Sequence, residues 1–208
     1  MTGHLRVDRV DQLHVRLTYS HLVEGPAHDV FLLDVGVVAS TGFDERAYLD
    51  VLEPVLHTHG EEADACSVRV SRTHRSWSAS PGEAEIAVAL ATGRADTTDH
   101  GSTNAVRSAF RQLLSLAGDE TAATFTYQEA ITEARLRLEC AYADVHADRL
   151  SVTDEEHQVS QGLWSVGLVH LPTRTRFRVV LGFVDGDPRT AHIRRVSSGE
   201  VVASVGTE

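Results

Sequence analysis

The chain has 208 residues, 42% of them hydrophobic and 24% charged, and a formal net charge of −11. That length and balance suit one large globular domain or two small ones, and exclude disordered, fibrous and collagen-like classes. The acidic surplus argues against a nucleic-acid-coating role, because proteins that track phosphates carry a basic excess.

In chain order, Met1 to Arg6 has no apolar core behind its charge, and no run is long enough to cross a bilayer, so a cytoplasmic protein without a membrane span is expected. Leu13, Val15, Leu17 and Tyr19 alternate with His14, Arg16, Thr18 and Ser20, which predicts a half-buried strand. Residues 24–27 form a turn. Residues 30–39 are apolar almost throughout and predict a central strand covered on both faces. Residues 44–59 predict a helix with Tyr48, Leu52, Val55 and Leu56 facing inward and Gly60 as its cap. Pro54 predicts a kink or break near Val51, since its ring crowds the carbonyl one turn back. Cys66, Val68 and Val70, a run centred on Trp77, and Ile86, Val88 and Leu90 predict three strands.

Residues 92–103 lack an apolar period and read as a linker. A helix over 104–116 buries Val106, Phe110, Leu113 and Leu114 and stops at Gly118. Thr126 and Glu129 then form a capping box for a helix over 126–147, with Ile131, Ala134, Leu138, Ala141 and Val145 as its apolar stripe. After Leu150 the period becomes two. Trp164, Val166 and Leu168 face one way, as do Phe177, Val179, Leu181 and Phe183 in the next run, and a third strand covers 190–196. The favoured architecture is α+β in two units. Residues 1–100 read β-β-α-β-β-β, and residues 101–208 read as two helices followed by an antiparallel meander, with a single continuous sheet as the alternative. In topology only, the order of elements in the last hundred residues is similar to cystatin-like and NTF2-like folds, a likeness that transfers no catalytic residue.

Two cysteines, Cys66 and Cys140, fall on apolar patterns and are expected as buried thiols. All 19 basic residues are Arg and Asn104 is the only Asn, a bias that points to a high-GC bacterial genome.

Four constellations bear on chemistry. His57, His59, Glu61, Glu62 and Asp64 have metal-ligating types, but histidines two apart at a helix end do not face one another, so no metal is expected. Asp96, Asp99, His100 and Ser102 contain the types of a nucleophilic triad in one loop, where convergence in space is missing, and a solvated linker ending in an N-cap explains them. Between residues 157 and 199 six Arg stand against two Asp. Arg174, Arg176 and Arg178 are expected on one strand face, continuing to Val180, Gly182 and Val184, with Arg194 and Arg195 beside them and Val169 and Leu171 on the preceding strand. Such a face would receive an acidic protein or a phosphorylated ligand, or pair with Asp154, Glu155 and Glu156. Fourth, Tyr142, Trp164, His170, Phe177 and Phe183 would line any pocket between the 126–147 helix and the meander, although aromatics there more often fill a core.

The expected function is a non-catalytic protein-interaction module, an adaptor, regulator or inhibitor, that binds a protein partner through Arg174, Arg176, Arg178, Val180, Arg194 and Arg195. A homodimer is an open alternative for the partner. No cofactor and no catalytic residue are expected. The alternative is a small-molecule binder or enzyme using the helix-and-sheet pocket, with His170 or Asp144 as acid or base.

Overall fold

A computed structural model of the chain describes residues 12–20, 26–36, 44–57, 67–75, 83–91, 100–118 and 124–196. In chain order these form β1 (Gln12–Ser20), β2 (Asp29–Val35), α1 (Glu45–His57), β3 (Ser67–Arg75), β4 (Glu83–Ala91), α2 (His100–Ala117), α3 (Tyr127–Ala141), β5 (Leu150–Gln158), β6 (Leu163–His170), β7 (Thr175–Leu181) and β8 (Thr190–Val196). The strands make one eight-stranded sheet in the order β3-β4-β1-β2-β8-β7-β6-β5. Strands β1 and β4 run parallel, and every other neighbouring pair is antiparallel. The fold is therefore mixed α+β. Hydrogen bonding continues across the middle of the chain because β2 pairs with β8, from Asp29 opposite Arg194 to Leu33 opposite Thr190.

The sheet's two faces are covered by different helices. On the first face, Leu13, Val15 and Leu17 of β1, Phe31, Leu33 and Val35 of β2 and Ile86, Val88 and Leu90 of β4 pack beneath α1 and α2. On the second, Trp164, Val166, Leu168, Phe177, Val179, Leu181 and Ile193 pack beneath α3, joined by Val30 and Leu32 of β2. Cover thus changes face at β2, whose apolar run supplies side chains to both cores. Each buried side chain of this size stabilises by about 1.5–3 kcal/mol.

Helix α3 begins as its capping box dictates. Thr126 Oγ1 accepts from the Glu129 amide at 3.4 Å, and Glu129 accepts from the Thr126 amide at 2.8 Å. Its buried residues are Ala130, Ala134, Arg137, Leu138 and Ala141, so small side chains let the helix lie close to the sheet. Arg137 is held by Asp34 and Glu133. Arg16 of β1 reaches the far end and donates to the carbonyls of Cys140 and Ala141, which tail-end helix carbonyls leave open.

Several expectations need correction. The helix ends at Ala141, six residues short of 147, because Tyr142 turns extended. Ile131 is only half-buried and Ala130 takes its place in the stripe. Cys140 is exposed, since it lies two residues, more than half a helical turn, beyond Leu138. Pro54 lies within α1, which continues to His57. Helix α2 starts at His100, so the end of the expected linker is helical. Strand β5 carries no apolar alternation beyond Val152 and its sequence pattern was silent on it. Phe183 and Val184 belong to the first face and not to the α3 core. The reason is local: β7 stops at Leu181, and Gly182 has φ +71°, where a Cβ would meet the Gly162 carbonyl oxygen at 2.8 Å. Cys66, the Trp77 run and residues 92–99 lie outside the described residues.

Leu138→Ala removes the fully buried centre of the α3 stripe. It is expected to lower stability by about 2–5 kcal/mol, read from the urea midpoint, and an unchanged midpoint would contradict the packing.

Candidate functional site

On the first face, the buried apolar residues beneath α1 and α2 include none from strands β5 to β8, although His192 of β8 is enclosed there against Phe31 and Phe183. The floor over these strands follows from strand register. One row runs Asp29, Arg194, Arg178, Gly167 and Asp154 across β2, β8, β7, β6 and β5. On one side lies the row Val196, Arg176, Val169 and Ser151, and on the other His192, Val180, Ser165 and Glu156. Val169, Val180 and Val196 are half-buried, and Arg176 is exposed.

Most of the expected Arg stripe is already engaged. Arg178 reaches over Gly167 to Asp154 at 2.7 Å and donates to Ser165 Oγ at 3.1 Å. A side chain at Gly167 would run into the Asp154 carboxylate, so the bridge requires glycine beneath it. Arg194 donates to Asp29 at 3.0 Å. Arg195 faces the other way, with its guanidinium 6.0 Å from the Phe177 ring centre on the α3 side. Arg174 is not on the strand: it sits in the β6–β7 turn with φ +59°. Arg176 has no side-chain partner among the described residues, which leaves it and Arg174 as the open cations of the stripe. Leu171 is exposed in the same turn.

Asp29 anchors the inner border of this face. It receives His28 Nδ1 at 2.9 Å, His192 Nε2 at 2.7 Å and Arg194 Nε at 3.0 Å. Burial alone would raise its carboxyl, but the hydrogen bonds from His192 and His28 and the charge of Arg194 hold it well below the usual carboxylate range. Burial pushes the His192 imidazole down, against the pull of Asp29. Its ring stacks on Phe31 with centres 4.3 Å apart. Sequence reasoning missed this cluster; the available signal was an acid at the start of an otherwise apolar strand and a His between Ala191 and Ile193.

The alternative pocket is filled. Tyr142, Trp164 and Phe177 lie in the α3 core, with the Tyr142 hydroxyl donating to the Ala27 carbonyl at 2.9 Å. Burial raises that phenol well above its usual range. His170 is buried at the hairpin end, where Nδ1 meets Thr173 Oγ1 at 2.9 Å. Phe183 is on the opposite face, and Asp144 is exposed in the turn after α3. These groups do not converge on one site. A groove of about 420 Å³ lies instead on the outer flank of α3, lined by Thr124, Phe125, Gln128, Glu129, Thr132 and Glu133. Among the described residues no three His, Cys, Asp or Glu side chains are grouped to hold a metal, and no helix is long and apolar enough to cross a membrane. Beyond His57, the His/Glu segment lies outside the described residues, as do Asp96 and Asp99.

Acid should weaken the β2–β8 junction in two steps. His192 is held neutral, so its contribution is complete above the usual imidazole value of about 6.5 and is lost as pH falls below it. Asp29, whose value is depressed, contributes fully above about pH 5 and loses that contribution on further acidification. Asp29→Asn should cost about 3 kcal/mol near neutrality and remove the lower step while keeping the upper one. Urea titrations from about pH 7.5 down to about pH 2 measure both, and a pH profile identical to the parent's would reject the assignment.

The chain matches no protein-family model, no curated protein and no solved structure.

Proposed function

We propose that the protein is a non-catalytic interaction module, an adaptor, regulator or inhibitor, that docks an acidic and partly apolar protein surface on the bare half of its first face. One observation carries this reading: helical cover changes face at β2, so β5 to β8 present half-buried Val169, Val180 and Val196 beside Arg176, which has no side-chain partner among the described residues. Apolar area rimmed by charge marks contact surfaces. A guanidinium adjoining such a patch favours carboxylates.

Arg178 and Arg194, neutralised by Asp154 and Asp29, shape and stiffen the floor more than they attract. The reading as two units, 1–100 and 101–208, rests on the linker-like stretch in the sequence, while α2 of the second segment packs with α1 on the first face and the β2–β8 ladder joins both segments in one sheet. The placement of α3 across β6 and β7 supports the topological likeness to cystatin-like and NTF2-like folds. Composition supports a cytoplasmic setting in a high-GC bacterium.

A fluorescent peptide alternating Glu and Leu is a suitable probe. Arg176→Glu and Val180→Glu should each weaken its binding about tenfold, about 1.4 kcal/mol, in fluorescence anisotropy. Equal binding by the parent and both variants would refute the reading.

A further inference from the structure

We infer that the acidic surface fitting this half-face is a second copy of the same chain, packed sheet to sheet about a two-fold axis that runs along the strands between β6 and β7. The inference rests on the reading of the face as a docking surface and supplies its partner. Charge is distributed unevenly across the floor: Arg178 on β7 and Arg194 on β8 are the positive ends of pairs whose acids are Asp154 on β5 and Asp29 on β2, Arg176 on β7 has no side-chain partner among the described residues, and Glu156 on β5 is exposed. An axis parallel to the strands lays β8 of one copy over β5 of the other, and brings the Arg194 position level with Asp154 because both lie in the same row. An axis across the strands would lay β5 on β5 and β7 on β7, like charge on like. Isologous contact therefore selects the first arrangement.

Shape agrees with charge. The α1 and α2 layer covers the first face only as far as β2, with α2 meeting Phe183 at the border, so the bare half is a notch beside a step. A helix with its side chains is about 10–12 Å across, and packed sheets lie about 10 Å apart, so the step is as high as a second sheet is distant. In the two-fold arrangement each copy's helical layer falls outside the other's β5 edge. That brings the acidic strand to α2, where Arg107 lies over the Phe183 ring and Arg111 holds Asp185 at 2.5 and 2.7 Å. Gly167 and Ser165 keep the middle of the floor low. Four strands of about seven residues make a floor roughly 19 by 23 Å, below the size of standard specific interfaces and in the range of weak, transient contacts. The dimer is therefore reversible and concentration-dependent.

Sedimentation velocity over a wide concentration range tests this with two variants at exposed positions, Glu156→Arg and Arg111→Glu. The parent should pass from monomer to dimer, and each variant should dissociate at about tenfold higher concentration or more. An equimolar mixture of the two variants should associate again, since each altered strand or helix then meets its opposite charge. A parent that stays monomeric, or a dimer indifferent to both substitutions, overturns the inference. Binding of a polyglutamate peptide separates it from the reading on which it rests. A monomeric chain that binds this peptide, and binds it more tightly after Glu156→Arg, removes the second copy and keeps the docking face. A chain that neither dimerises nor binds the peptide removes both.

Discussion

Strand β2 must bury both of its faces, and the rest of the molecule is arranged around that requirement. Phe31, Leu33 and Val35 point to one side and Val30 and Leu32 to the other, all buried. A strand of this kind is stable only between two neighbours and beneath two layers. Strand β1 supplies one ladder and β8, from the far end of the chain, supplies the other. Helices α1 and α2 cover one side and the α3 core reaches the other. Because the two covers meet at a single strand, each stops there, and half of each face is left without a helix among the described residues.

Polar groups at that junction are held by mutual compensation. A carboxylate as enclosed as Asp29 loses hydration that three donors around it replace, and its removal from water is tolerable only with them in place. His14, Asp34, Arg137 and Glu133 do the same on the second face, tying α3 to β1 and β2. Both clusters join residues more than a hundred positions apart, so they act on the relation between the halves and not on either half alone. At the opposite border, the Arg178–Asp154 bridge over Gly167 fastens edge strand β5 two strands inward. Acids along that edge also discourage unwanted strand addition.

Counting charges along the chain overstates how basic the bare face is. Arg178 and Arg194 spend their charge on partners within the fold, Arg195 turns to the α3 side, and Arg174 leaves the strand. What is left is a floor with valines, carboxylates along the outer strand and, at one end, the Arg176 guanidinium, which has no side-chain partner among the described residues. Its asymmetry, and not its net charge, is the property that selects a partner.

Local pattern by itself determined the capped start of α3, the inward faces of α1 and α2, the alternation in β1, β6 and β7, and the two-sided burial of β2. Each of these follows from the period of apolar residues or from a cap within four positions, interactions that the chain makes with its own near neighbours. Strand β5 was illegible because an acidic edge strand owes its conformation to the ladder with β6 and not to any apolar period of its own. The side taken by Phe183 depended on one glycine turn, and the pairing of Arg178 with Asp154 on the register that sets them either side of Gly167. Only the tertiary structure decided that β2 and β8 join the halves into one sheet, that its helices lie on opposite faces, and that Asp29 gathers His28, His192 and Arg194, because contacts between distant segments leave no periodic trace in the segments themselves.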